Sequence, residues 1–329
     1  MQKTANVEAV MSFIPSTFDE HQIDMTVLGG KVNESPDALN ISVILLNSGA
    51  SHLKLDVFEN LLGCNFRSII SVENQGANYS TEDISKKFPA IKFIIPTEKA
   101  SDGELINLAM NEIDSEYVLV LRDNLYIPSG VVLSNLAERL TGENIYCLVP
   151  RLMDKNKNGL YTLFTPGAEK SHFVIDSSSV VTDGKKTIYP KDFIALYNRK
   201  KFIQLGGFDY TIQTPYWQNL DLAVRSWLWG EQTKLTTMLQ FSYIDEPPVE
   251  DRTINHDYLR YYLKNEVPKY KLQQGYIKRS SFPGFLFRSS CGYLEAKRLF
   301  KAAKVWVAKN KYQFKMDLQT FIKGWSENK

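Results

Sequence analysis

Between Ile41 and Asn124 the chain alternates four times between a short apolar run and a stretch with helical spacing, and few folds accept that rhythm. Ile41–Leu46 (ISVILL) is a β-branched apolar run, as expected of a strand buried on both faces. It stops at Asn47-Ser48-Gly49, after which Leu53, Val57 and Leu61 recur at the spacing of a helix face. Arg67–Val72 (RSIISV) repeats the pattern and ends in Glu73-Asn74-Gln75-Gly76. Ile91–Ile95 (IKFII) and Tyr117–Leu121 (YVLVL) repeat it twice more, the last ending in Arg122-Asp123-Asn124. Ser80 to Asp83 and Ser101 to Glu104 have capping-box spacing, in which a serine and an acid three residues on satisfy open N–H groups at a helix start. The first of these helices must end before Pro89.

Alternation of this kind predicts an α/β fold: a mostly parallel sheet with helices on both faces. Ligands of such sheets sit beyond the carboxyl ends of the strands. The polar clusters at Asn47, Glu73 and Arg122 to Asn124 therefore belong on one edge. Farther along, Tyr146–Pro150, Leu160–Phe164, Phe193–Tyr197 and Leu235–Tyr243 read as strands. Ser171–Tyr189 reads as an inserted hairpin turning at Asp183-Gly184, and Lys200–Leu205 and Asp221–Gly230 read as helices. From His256 onward the signal is helical, over Tyr258–Asn265 and Tyr293–Lys309. Residues 1–39, which show no sustained period, read as an N-terminal extension, 40–255 as the α/β domain and 256–329 as a helical C-terminal region.

Composition narrows the class. With 329 residues, 43% of them hydrophobic, the chain can bury a sizeable core. No apolar run approaches the roughly 20 residues needed to span a bilayer, and the opening MQKTANVEAVMSFIP lacks the apolar centre of a secretory leader. Three widely spaced cysteines, Cys64, Cys147 and Cys291, form neither a disulfide framework nor a zinc signature, so a cytoplasmic protein is expected. From Lys269 onward there are 14 Lys and Arg against 3 acids, although the whole chain has 39 against 37. One end is built to meet an anionic neighbour or the acidic remainder of its own body.

Five stretches, in order, carry a likeness. ISVILLNSG, SVENQG, YVLVLRDNLYIPSG, LGGFD and WQNLDLAVRSWLWG resemble successive motifs of the family-2 glycosyltransferases with the GT-A fold, over roughly residues 41–270. The resemblance implies a protein that transfers a sugar from a nucleotide-sugar donor to an acceptor hydroxyl on a glycan, lipid-linked or protein acceptor, commonly with Mn or Mg. It implies that Asn47, Glu73 and Asn74 face the base, that Arg122 and Asp123 face the diphosphate, and that Gly207 and Asp209 shape the sugar pocket. Trp217 would line the acceptor site, Asn219 occupies the position of the family's base, and Asp221 is a fallback base. Asp123, Asn124 and His256 are the candidate metal ligands.

The departures are chemical. Aligned through Pro128-Ser129-Gly130, the chain has Arg122-Asp123-Asn124 where the family has Asp-x-Asp. A hard divalent ion wants anionic oxygens, and a guanidinium repels it; an arginine fork can instead bind diphosphate directly. Gln218-Asn219 replace a Glu-Asp pair, and neither amide titrates usefully as a base. Each residue also has a plainer role: a strand-end turn for Asp123 and Asn124, helix capping for Asp221, a surface position for His256, core packing for Trp217. A catalytically silent GT-A module, serving as scaffold, regulator or glycan binder, is the rival expectation.

In the basic tail, Ala296, Leu299, Phe300, Ala303, Trp306 and Val307 fall on one helical face, with Lys297, Lys301 and Lys304 towards another. Such a helix suits either an anionic membrane surface, making the protein peripheral to the inner face, or packing on the body or a partner subunit. No nucleic-acid recognition module is present in the sequence, and nucleic acid is not an expected partner.

Overall fold

The computed structural model describes residues 21, 23–47, 54–73, 80–169 and 172–326. Its first half is built from β1 (Met25–Gly29), β2 (Ile41–Leu46), α1 (Lys54–Leu62), β3 (Ile69–Val72), α2 (Thr81–Lys87), β4 (Ile91–Pro96), α3 (Asp102–Asn111) and β5 (Tyr117–Arg122). Strands β4, β3, β2 and β5 lie side by side and parallel, as the alternation requires. Side chains of a strand point alternately to its two faces. Ile41, Val43 and Leu45 accordingly join the core on one side of the sheet, and Ile44 and Leu46 the core on the other. Both expected helix starts are capped: Ser80 accepts from the Asp83 N–H, and Ser101 and Glu104 form a reciprocal capping box.

The second half holds β6 (Leu125–Tyr126), α4 (Ser134–Thr141), β7 (Cys147–Met153), β8 (Leu163–Glu169), β9 (His172–Ser178), β10 (Ala195–Asn198), α5 (Arg199–Gln204), α6 (Pro215–Leu228) and β11 (Thr233–Tyr243). The sheet order is β1-β4-β3-β2-β5-β10-β7-β11-β6, nine strands among the described residues. Here it is mixed: β10 runs antiparallel to β5 and β7, while β7 and β11 are parallel. The hairpin differs from expectation. It pairs β8 with β9, and Asp183-Gly184 forms a separate turn whose Asp183 carboxylate accepts from the Thr237 N–H beside β11.

The C-terminal region comprises α7 (His256–Tyr261), a π-helical turn (Tyr262–Glu266), the hairpin of β12 (Lys269–Lys271) and β13 (Gln274–Tyr276), α8 (Phe282–Ser289), α9 (Tyr293–Lys309) and α10 (Leu318–Ser326). Its apolar residues belong to the same core as α3 and α6. On α9 the face formed by Ala296, Leu299, Phe300, Ala303 and Val307 is buried against the body. Trp306 stacks on Trp229 at 6.0 Å, and Trp227 meets Trp325 at 5.0 Å. Among the described residues no helix is long and apolar enough to cross a membrane.

Candidate functional site

Because β2 lies between β3 and β5, with Leu46 opposite both Val72 and Arg122, the residues just beyond these strands share one edge. Asn47 donates to Glu73 Oε2 at 3.0 Å, and Ser71 donates to Oε1 at 2.6 Å. The Asp123 N–H donates to the Leu46 carbonyl at 3.1 Å. Asn47, Glu73, Arg122 and Asp123 are thus brought together and buried at the carboxyl rim. Asn74 lies outside the described residues.

Arg122 organises this rim. Along β5 it has the parity of Val118 and Val120, so it points to the sheet face covered by α3 and α6. There it meets two acids: Nη2 donates to Asp102 Oδ2 and to Asp192 Oδ1, each at 2.6 Å, and Nε donates to Asp192 Oδ1 at 3.1 Å. Tyr243 donates to the other Asp192 oxygen at 2.9 Å. Burial alone would depress the basicity of Arg122, but the charges of Asp192 and Asp102 hold it above its ordinary value. Asp192 reaches inward because it takes a left-handed backbone, φ 53°, uncommon for a residue with a side chain. Nη1 makes no hydrogen bond to any described residue, which leaves two donors of the guanidinium for a ligand.

A divalent ion does not fit these residues well. Two carboxylates of the rim are spent on a guanidinium standing at the end of β5, where the sequence pattern looks for an acid. The amide oxygen of Asn124 is buried and without a hydrogen bond among the described residues, and the buried Asp123 carboxylate stands beside it, but one carboxylate and one amide fall short of the oxygen-rich anionic shell a hard cation gathers. His256 is elsewhere: Nδ1 lies 3.4 Å from Glu295, and Nε2 lies 4.0 Å from the Cys291 sulfur. The potential ligands it gathers with are these two, not Asp123 or Asn124.

Helix α6 begins at Pro215, six residues before the expected Asp221, with proline at its first position and Asp257 Oδ2 accepting from the Gln213 and Thr214 N–H groups. This places the whole Trp217 to Asp221 segment inside the helix. Gln218 accepts from the Gly103 N–H at 2.9 Å and donates to Ser101 and to the Asp209 carbonyl. A side chain on Gly103 would come within 2.5 Å of that amide, so only glycine allows α3 this close to α6. Asn219 donates to the Pro190 carbonyl at 2.6 Å. Trp217 is buried against Tyr216, Tyr258 and Tyr261 with its N–H on the Thr253 carbonyl, which makes it a core residue rather than an exposed acceptor platform.

Asp221, expected as a fallback base, is fully buried and anchors the C-terminal region. It faces Lys264 at 3.2 Å and Arg225 at 3.3 Å, and accepts from Asn265 at 2.8 Å. Both of its oxygens are engaged inside the fold, and it has no exposed atom to offer a substrate. Lys264 also binds Asp209 at 2.7 Å, and Arg225 donates to the Gly207 carbonyl at 2.6 Å. Burial alone would push the pKa of the Asp209 carboxyl up; the Lys264 charge and hydrogen bonds from Lys264 and Thr211 hold it well below the usual carboxylate range. The glycine-rich loop is thereby tied to α6 and the π turn. The residues missed in the sequence are Asp102, Asp192 and Lys264. Asp102, an acid in the first turn of a helix at the ligand edge, could have been found; Asp192 and Lys264 meet their partners only through the tertiary fold.

The chain is similar in fold to solved structures. A structure of GalNAc-T7 with UDP, GalNAc and Mn2+ superposes with a TM-score of 0.57 at 10% identity, over 89% of this chain and 58% of that one. The fold is GT-A. This chain therefore spans just over half the length of GalNAc-T7. A mannosyltransferase from Pyrobaculum calidifontis in complex with GDP-Man and Mn2+ (TM-score 0.45, 11% identity, 89% and 79% covered) and S. aureus TarS (0.47, 13%, 86% and 55%) are similar more loosely. No protein-family model matches the chain, and no curated protein matches it in sequence.

Proposed function

We propose that this chain is a glycosyltransferase-like protein of the family-2 class that binds a nucleotide-sugar at the carboxyl rim of its sheet, with Arg122 in the place of a divalent ion. The observation that carries this is the Arg122 guanidinium, clasped by Asp102 and Asp192 as those acids would clasp a cation, with Nη1 left to meet a diphosphate. Glu73 and Asn47, bonded to each other at the ends of β3 and β2, offer a carboxylate and an amide to the polar edge of a base. Gly207 and Asp209 act behind the sugar pocket by fixing its loop.

In the transferase reading, a sugar passes to an acceptor hydroxyl of a glycan, lipid-linked or protein acceptor by displacement of the nucleoside diphosphate. A second reading is favoured by α6: Gln218, Asn219 and Asp221 all have their side chains engaged in buried bonds, which supports a module that holds the donor without transferring it. Calorimetric titration with uridine and guanosine diphosphate-sugars in metal-free buffer tests the shared claim. Micromolar binding of one of them is expected, and no binding of any overturns it. Turnover of the bound sugar to free or transferred product then selects the transferase; binding without turnover selects the silent module.

A further inference from the structure

The inner face of α9 packs on the body, but its outer stripe borders a cavity of about 660 Å³ closed on the far side by Tyr210, Thr211 and the π turn. This volume lies within the range that holds a small ligand, roughly 300–1,000 Å³. Along the stripe, Arg298, Lys301, Ala302, Val305 and Lys309 follow at intervals that bring them to one side of the helix. Arg260 and Lys264 contribute from the opposite wall.

The charges are unevenly matched. Arg260 is engaged by Asp257 at 3.1 Å and Lys264 by Asp209 at 2.7 Å. Asp209, the one acid of the lining, is thereby spent. Arg298 and Lys301 have no ion-pair partner among the described residues and sit one turn apart on the rim. Between them and the opposite wall the lining is aliphatic: Leu263, Leu299, Ala302, Ala303 and Val305. Of the two aromatic residues in the lining, Tyr210 stacks on His21 at 4.6 Å, and Trp306 already carries Lys264 4.3 Å above its ring and stacks on Trp229, so a flat nucleobase finds little platform here.

We infer that this cavity is a binding site for an anionic amphiphile, with a phosphate headgroup between Arg298 and Lys301 and an aliphatic chain along Leu263, Ala302 and Val305. Two unpaired cations one helical turn apart match the several oxygens of a phosphate, and an apolar floor rewards a chain by the area it removes from water. The site is separate from the strand-end rim and does not depend on the donor reading.

Dodecyl phosphate, kept below its micelle concentration and titrated calorimetrically into the full chain, is the probe. One molecule should bind, about tenfold or more tighter than either inorganic phosphate or neutral dodecyl maltoside, because each of those lacks half of the match. R298A/K301A should weaken it about tenfold. V305N should do so from the apolar side without adding a charge beside Lys301. Both variants alter exposed positions, and both should melt as the parent does and keep its affinity for nucleotide-sugars. Equal binding of the maltoside, equal binding of phosphate, or no binding of dodecyl phosphate would each overturn the proposal. So would attachment to phosphatidic acid vesicles without binding of the monomeric amphiphile, which would make the stripe a surface patch.

Discussion

Two buried ion clusters among the described residues differ in what they leave over. At the rim, Arg122 is held by Asp102 and Asp192, yet one nitrogen of its guanidinium is unused and the cluster sits where strand ends open to ligands. Between α6 and the π turn, Asp209, Lys264, Asp221, Arg225 and Asn265 pair with one another, Asp221 and Arg225 almost wholly out of solvent, and the donor left over, Arg225 Nε, is sealed in the core rather than set at a ligand edge. The chemistry is alike but the task is not. A closed network fixes the C-terminal helices to the sheet, whereas in the reading proposed above the open one keeps a cation ready for a diphosphate.

The sharpest way to break this distinction is to remove the centre of the closed network. Asp221→Ala leaves Lys264 and Arg225 buried without their shared acid, and breaking a buried pair costs about 3–5 kcal/mol. The melting temperature by calorimetry should fall by many degrees. A variant that melts like the parent but loses only activity would make Asp221 a site residue after all.

At the open cluster the expected effect is smaller and of the opposite kind. Asp192→Asn keeps a residue tolerant of the left-handed backbone and removes one negative charge beside Arg122. Stability should fall by about 1–3 kcal/mol, less than at Asp221 because Asp102 still holds the guanidinium, while affinity for nucleoside diphosphates should rise about threefold to tenfold as the guanidinium is released. Weaker binding would mean that Asp192 positions Arg122 more than it competes for it.

The smallest effect concerns pH. Burial pushes Glu266, at the end of the π turn, up to about 7, with Arg288 and Tyr261 opposing. The folded state then holds a proton that the unfolded chain gives up near 4.5, so this contribution is full below that pH and is lost as pH rises to about 7. Glu266→Gln should flatten that slope in melts between pH 4.5 and 8. Asp209 works the other way: its pairing is lost as pH falls below the ordinary carboxylate value, which sharpens acid unfolding in parent and variant alike.

Local signals carried much of this fold. β2 is Ile41–Leu46 and α9 is Tyr293–Lys309, both as read from periodicity, and Ser80 and Ser101 cap the helices they announce. β1 was illegible because an edge strand exposed along much of both faces has no alternation to display. The start of α6 was missed because Gln218 and Asn219 look like loop residues, although Thr214-Pro215 is a helix-start signal. At the rim, the motifs placed Asn47, Glu73 and Arg122 together, but Asp192 lies 70 residues from its arginine and carries no local mark. The Asp221–Arg225 spacing was visible as a motif; that it anchors the core follows only from Lys264, 43 residues farther on.

The central claim is that a guanidinium does the work of a divalent ion at the donor rim. Calorimetric titration of the preferred nucleotide-sugar, with chelator and then with manganese, into parent and Arg122→Ala tests it directly. The account predicts equal affinity with and without metal in the parent, and a loss of about tenfold or more in Arg122→Ala. Binding that appears only with manganese, and survives the loss of Arg122, would contradict it.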